Sequence, residues 1–249
     1  MSRPLVATWL GRVAYVDGWR LEEAVATRVR AGGPDRSLLL EHDPVYTIGR
    51  RGSVTHLTAS PSELRAHGVS AYRVDRGGDI TYHGPGQLVA YPVVALGDAP
   101  DLVGYVRAIE AALIDALEGY GIAARRIERK TGVWVDLPGG APAKIAAIGV
   151  RVSRGVSTHG LALNVSTDLS AFDRMIPCGF AHEVASLQSL GIRATVREAG
   201  ERVAQALARR LGRDLAWERD VAAPHDSELP ADAAVRAAQD LLASEALAS

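Results

Sequence analysis

Cysteine is nearly absent from this chain: its 249 residues include one, Cys178. A single thiol excludes an intrachain disulfide and any multi-cysteine metal site. Lysine is almost as scarce. Among 28 basic residues only Lys130 and Lys144 are lysine, and every other is arginine. Net charge is −1, so no global field calls for a nucleic acid or an anionic membrane as partner. Long apolar runs are missing too. None approaches the roughly 18–20 residues that span a bilayer, and the opening MSRPLVATWLGRVAYVDG is too interrupted by charge for a signal peptide. A soluble, cytoplasmic protein is expected. Aromatics make up 5% of the chain, which leaves the core to aliphatic side chains. The seven histidines include no HExxH pattern, so no metal site is expected.

What is present suits one sizeable domain: 47% of residues are hydrophobic and 23% charged. Leu5, Ala7 and Trp9 alternate as a strand does. The run from Leu21 to Arg30 reads as a helix stopped by Gly32-Gly33. Residues 37–41 (SLLLE) read as a buried strand, and 42–51 (HDPVYTIGRR) as loop. Ser60 and Glu63, with Pro61 between them, form a capping box and open a short helix. Residues 71–74 suggest a strand. Residues 88–96 form an apolar strand in which Pro92 indicates an edge or a bulge. Leu102, Val106, Ile109, Leu113 and Leu117 define the best amphipathic helix. Residues 132–137 read as a strand, and 145–152 with 156–165 as a hairpin around Ser153-Arg154-Gly155. Thr195 and Glu198 cap a helix carrying Val203, Leu207 and Leu211. From residue 220 to 249 the chain becomes an Ala-rich tail, read as a surface helix near 231–247 or as partly disordered.

Four stretches could carry chemistry. RGGDITYHGPGQ, residues 76–87, has four glycines and a proline in twelve positions, so it is no regular helix. Its glycines let backbone approach a ligand closely. The loop lies between strands and lacks GK[ST], which excludes a dinucleotide fingerprint and a P-loop; a plain hairpin turn is the alternative. Lys144 sits among alanines and isoleucines in a chain that otherwise uses arginine. Arginine stays charged, whereas a lysine ammonium can release its proton. Cys178, in the turn-like IPCGF, offers a thiolate suited to thioester exchange; an inert, buried thiol is the alternative. His159, on a strand just before Gly160, could act as acid or base, or be a satisfied core histidine. Arg125, Arg126, Arg129 and Lys130 form a basic patch that could dock an acidic partner or simply be solvated.

Taken together, RGGDITYHGPGQ, GVWVD, KIAAIGVRV, THGLALNV and IPCG occur in the order that resembles the lipoyl(octanoyl) transferases, within the biotin/lipoate protein ligase-like superfamily. The resemblance runs from about Leu5 to Leu215. It implies an α/β fold of the α+β type, with a mixed, largely antiparallel sheet flanked by helices, and a catalytic domain over residues 1–219. It implies transfer of an octanoyl group from octanoyl-acyl carrier protein to a lysine on lipoyl domains of 2-oxoacid dehydrogenase complexes or the glycine cleavage H protein, without a cofactor. Cys178 matches the acyl-thioester nucleophile and Lys144 the lysine that activates it. Arg76, Gly77, Gly78, Asp79, Ile80, Thr81, Tyr82 and His83 match the acyl-binding loop. Ala147, Ile148 and Gly149, with Gly160, Leu161 and Ala162, match two acyl-contacting strand segments, and His159 would support them. Burying about seven CH2 and CH3 groups of a C8 chain is worth on the order of 5 kcal/mol. An ATP-dependent lipoate or biotin ligase and a non-catalytic carrier-binding module are the rival readings.

Overall fold

The computed structural model describes residues 3–176 and 183–218. Cys178 and the 220–249 tail therefore lie outside the described residues. In chain order the elements are β1 (Pro4–Val13), α1 (Tyr15–Arg30), β2 (Asp35–His42), β3 (Val45–Ile48), α2 (Pro61–Ala66), β4 (Ser70–Arg73), β5 (Ile80–His83) and β6 (Gln87–Val93). There follow α3 (Leu102–Glu118), β7 (Arg125–Ile127), β8 (Lys130–Asp136), β9 (Pro142–Ser153), β10 (Val156–Asn164), β11 (Glu183–Val184), α4 (Val196–Arg210) and β12 (Asp214–Trp217).

Among the described residues, the main sheet runs β12-β1-β2-β6-β10-β9-β8-β7, with β11 added beside β9. The β12-β1-β2 pairs and the β9–β11 pair are parallel, and the other pairs are antiparallel. A second sheet is β4-β3-β5. The fold is thus mixed α/β with a largely antiparallel sheet flanked by helices, as the resemblance implied. No described helix is long and apolar enough to cross a membrane.

The apolar runs in β2, β6 and β10 are continuous because these central strands are buried on both faces. Leu38 and Leu40 pack with Val89, Tyr91 and Ala162 against Val25, Ala26 and Val29 of α1. Their odd-numbered neighbour Leu39 points the other way, joining Leu88, Leu161 and Leu163 under α3 and α4. The period-2 alternation of a strand thus fills two cores at once. Both capping boxes are formed: Ser60 Oγ accepts from Glu63 N–H at α2, and Thr195 Oγ1 from Glu198 N–H at α4.

Three local expectations need correction. Helix α1 begins at Tyr15, six residues before the apolar periodicity is obvious, because Tyr15 and Gly18 are buried at its first turns. Residues 42–51 are not all loop. Val45–Ile48 is a fully buried strand that pairs with β4 and β5. Likewise, the glycine-rich stretch contains β5. Pro92 is not on an edge strand, since β6 is central. It is tolerated because the β6–β10 ladder stops at Leu161↔Ala90 and resumes only at a bridge between Ala95 and Val156. In the gap His159 adopts φ 56 and turns its N–H away to the Glu22 carboxylate. Pro92 O accepts instead from Tyr105 Oη and Ser157 Oγ, so the carbonyl left without its ladder donor is satisfied.

Candidate active site

A cavity of about 580 Å3 opens where the 76–83 segment closes over β9 and β10. Residues 76–81, His83, Lys144, 147–149, His159 and 160–162 all line it. The five sequence motifs thus converge as far as they are described. Tyr82 does not line it. Its ring packs with Ile80 in a small core, 5.3 Å from Tyr46 and 5.8 Å from Phe172. Cys178 lies outside the described residues, but both ends of its segment are fixed at the cavity. Upstream, Met175 bridges Leu57 and Ile176 N–H donates to His56 O at 2.7 Å. Downstream, Val184 pairs with Lys144 in the β9–β11 register, and Ala185 N–H donates to Lys144 O at 3.0 Å. Met175 and Val184 are both in the cavity wall.

Lys144 Nζ lies 4.8 Å from the centre of the Trp134 ring, and Lys130 Nζ lies 5.5 Å from it. The chain's two lysines therefore face one buried indole, and both line the cavity. Nothing in the sequence linked Lys130 to the site. Of the rest of the expected basic patch, Arg125 is 2.6 Å from Asp136 and Arg126 is 3.0 Å from Glu110, while Arg129 also lines the cavity.

Arg76 is a clamp. Buried, its guanidinium donates to Thr47 Oγ1, to Thr47 O and to Gly77 O. Burial lowers its pKa, yet an arginine stays charged here. The clamp ties the glycine loop to β3, and backbone N–H groups of Gly49, Arg50 and Arg51 donate to the carbonyls of Asp79, Arg76 and Gly78. Sequence reasoning missed this 49–51 contribution because its glycine and arginines looked like ordinary loop. On the far side, Gly77 N–H donates to Val150 O at 3.1 Å, and a Cβ at Gly149 would come within 2.8 Å of Gly77 O. Gly149 is required for that close approach.

Gly160 is required more strictly. A Cβ there would sit 2.1 Å from Ala90 O and 2.6 Å from Pro92 Cδ in the central sheet. Gly160→Ala is expected to lower stability by about 3 kcal/mol, read as a drop in the chemical-denaturation midpoint. An unchanged midpoint would show that β6 and β10 separate easily.

His159 combines both readings left open for it. It is buried, yet it reaches the cavity. Its Nε2 lies 2.7 Å from Asp75 Oδ1, and Asp75 Oδ2 is 2.6 Å from Arg151. Burial raises the Asp75 carboxyl, but His159 and Arg151 more than offset that and hold it below its ordinary value. Behind the ring, burial pushes Glu22 up to about 7. Glu22 carried no sequence signal, being one charge in a helix.

His83 Nδ1 lies 2.7 Å from Gln87 Oε1, whose amide nitrogen donates to Tyr82 O and Asn164 Oδ1. Asn164 in turn donates to Ala185 O at 3.0 Å, tying the loop to the chain just after β11. Burial, with His42 close by, pushes His83 down to about 3. Burial also pushes His42, bonded to Val13 O and Tyr91, down to about 4. Both rings are neutral near pH 7. Because these folded-state values lie below the unfolded value of about 6.5, their stabilisation is complete above pH 6.5 and is lost as pH falls toward 4. Thermal unfolding is expected to drop over that window, and to drop less in His83→Gln. An equal drop in the variant would remove His83 as a cause. Among the described residues no group of three or more His, Cys, Asp or Glu is placed to hold a metal.

Solved structures place the fold in a class. A lipoate-protein ligase A with bound ATP superposes with a TM-score of 0.72 at 18% identity, covering 89% of this chain and 90% of that one. A bipartite lipoate protein ligase from Thermoplasma acidophilum gives 0.70 at 17% identity, covering 89% and 88%. The architecture is that of lipoate-ligase catalytic domains. More particularly, the family model of the lipoyl protein ligase A/B catalytic domain matches residues 14–208, and the chain belongs to that family. An octanoyltransferase of Solibacter usitatus is 48% identical over 202 residues, covering 80% of this chain and 90% of that protein. One from Chloroflexus aurantiacus is 46% identical over 206 residues, covering 81% and 91%. The chain is an acyltransferase.

Proposed function

We propose that the chain moves an octanoyl group from octanoyl-acyl carrier protein, through a thioester on Cys178, to a lysine of lipoyl domains in 2-oxoacid dehydrogenase complexes or the glycine cleavage H protein. Relatives named octanoyltransferase support the acyl group and the reaction type. The observation that carries the reading is the placement of Lys144. It stands in the cavity wall, in register with Val184, where the chain emerges from the segment holding the only cysteine.

The chemistry balances without an energy source. The Cys178 thiolate attacks the donor's thioester carbonyl, the carrier sulfur leaves, and it takes up one proton. Thioester exchanges for thioester, so this step is close to thermoneutral. The acceptor's amine then attacks the acyl-enzyme carbonyl. The C–S bond breaks, an amide forms, the amine loses a proton and Cys178 is restored. Amide formation is downhill and draws the cycle forward. A free thiol with pKa about 8.5 is only a few per cent thiolate near pH 7, and an ammonium beside it favours the charged form. Lys144 as ammonium stabilises the thiolate, and as free amine it accepts the proton from the incoming lysine.

The rival is an ATP-dependent ligase, a reading favoured by the lipoate-ligase structural neighbours, whose identities of 17% and 18% speak for the fold alone. Incubation with octanoyl-carrier protein, without ATP, should add one octanoyl mass to the peptide containing Cys178, and a lipoyl domain added next should remove it. Strict dependence on ATP and free octanoate would sink this reading in favour of the ligase.

A further inference from the structure

The cavity is far more cationic than the chain around it. Arg51, Arg76, Arg129, Lys130 and Lys144 line it, and Asp79 is the one carboxylate among the lining residues. Asp79 is held by His56, at 2.8 Å. Arg76 is committed to Thr47 and Gly77, and Lys144 is assigned to the chemistry above. Arg51 and Arg129 remain. Arg51 and Arg129 are exposed while still lining the cavity, so they stand at its mouth.

Two features separate these residues from an ordinary solvated rim. Among the described residues no carboxylate pairs with Arg51. Arg129 meets only its neighbour Glu128, at 3.7 Å with both side chains about nine-tenths exposed, a contact of little energetic weight. In addition, Arg129 occupies the tight turn between β7 and β8 with φ 62. That is a position where glycine is the unstrained residue, and a side chain costs about 1 kcal/mol. A guanidinium is kept at the mouth against local backbone preference.

We propose that Arg51 and Arg129 form an anion subsite that receives the phosphodiester joining a carrier protein to its thioester-bearing arm. The inference rests on the acyl-transfer reading above and specifies the donor's second point of contact. The arrangement is suited to it: an aliphatic wall at Ala147, Ile148 and Leu161 for the acyl chain, and planar guanidinium donors outside for a phosphate.

The test compares octanoyl-4′-phosphopantetheine with octanoyl-pantetheine, which lacks the phosphate, and with octanoyl-carrier protein. Wild-type enzyme should prefer the phosphorylated thioester in kcat/KM by about 10- to 100-fold. Arg51→Gln/Arg129→Gly should bring that ratio close to one. Arg129→Gly alone should lower the ratio while unfolding no earlier than wild type, since glycine relieves the turn. The proposal is overturned if wild type shows no preference, if the double variant keeps it, or if the loss appears only with the whole carrier, which would assign these arginines to the carrier's surface. The Cys178 adduct is read in the same mixtures. Adduct without phosphate preference removes the subsite alone, and no adduct from either thioester overturns both readings.

Discussion

Cys178→Ala is expected to abolish the octanoyl adduct and to lower transfer to lipoyl domains on the order of 10^6-fold, the scale on which removal of a covalent nucleophile acts. The chain has no second thiol to substitute. The loss should fall on kcat and kcat/KM together, since the bond to sulfur forms only as the transition state is approached. Donor binding should survive, because β5, β6, β9 and β10 all contribute to the described cavity wall. Isothermal titration of Cys178→Ala with octanoyl-carrier protein, alongside intact-mass analysis, separates the two. A variant that still transfers octanoate at wild-type rates would show that the acyl group passes directly from donor to acceptor lysine. Cys178→Ser should resemble the alanine variant, since a serine hydroxyl beside a lysine stays protonated where a thiol ionises.

Much of the frame that brings these groups together was legible in advance, for identifiable reasons. Central strands and amphipathic helices announce themselves through period-2 and period-3.6 patterns, and α3 was read to within a residue or two. The capping boxes at Ser60 and Thr195 are local hydrogen-bond chemistry, so local sequence sufficed. Elements whose identity depends on a distant partner were not legible. Val45–Ile48 becomes a strand because β4 and β5 arrive from 70–83 to pair with it. Pro92 sits mid-sheet because His159, far along the chain, vacates the facing ladder position.

The same distinction holds at the site. Gly77 and Gly78 were readable as glycines that let backbone come close, whereas Gly149 was singled out only through the resemblance and its approach to Gly77 was not foreseen. Tyr82 was included with its loop, although its ring packs against Tyr46 and does not line the cavity. Glu22 and Arg51 went unread because each is ordinary in its own window, and Lys130 and Trp134 were read only as part of a basic patch and of a motif. Only the fold places a helix carboxylate under His159, or both lysines against one indole.

That indole makes Lys144→Arg the most discriminating substitution. Arginine keeps the positive charge, and a guanidinium stacks on Trp134 at least as well as the ammonium it replaces. Position 144 is also held by backbone pairing to Trp134 and Val184. Thermal unfolding should therefore change little. Thiolate stabilisation, which needs only a nearby cation, should persist, so Cys178 should still take up an octanoyl group from the donor. Release to the acceptor needs a group that can exist as a neutral amine, and arginine cannot. The second step should slow by about 100- to 10,000-fold, the range associated with loss of a positioned general base. The expected signature is an acyl-enzyme that accumulates and persists when lipoyl domain is added, in contrast to Lys144→Met, in which formation and release should both fail. Rapid-quench mass analysis distinguishes the cases. Equal slowing of both steps in Lys144→Arg would mean that lysine geometry, rather than its capacity to lose a proton, is what the reaction requires.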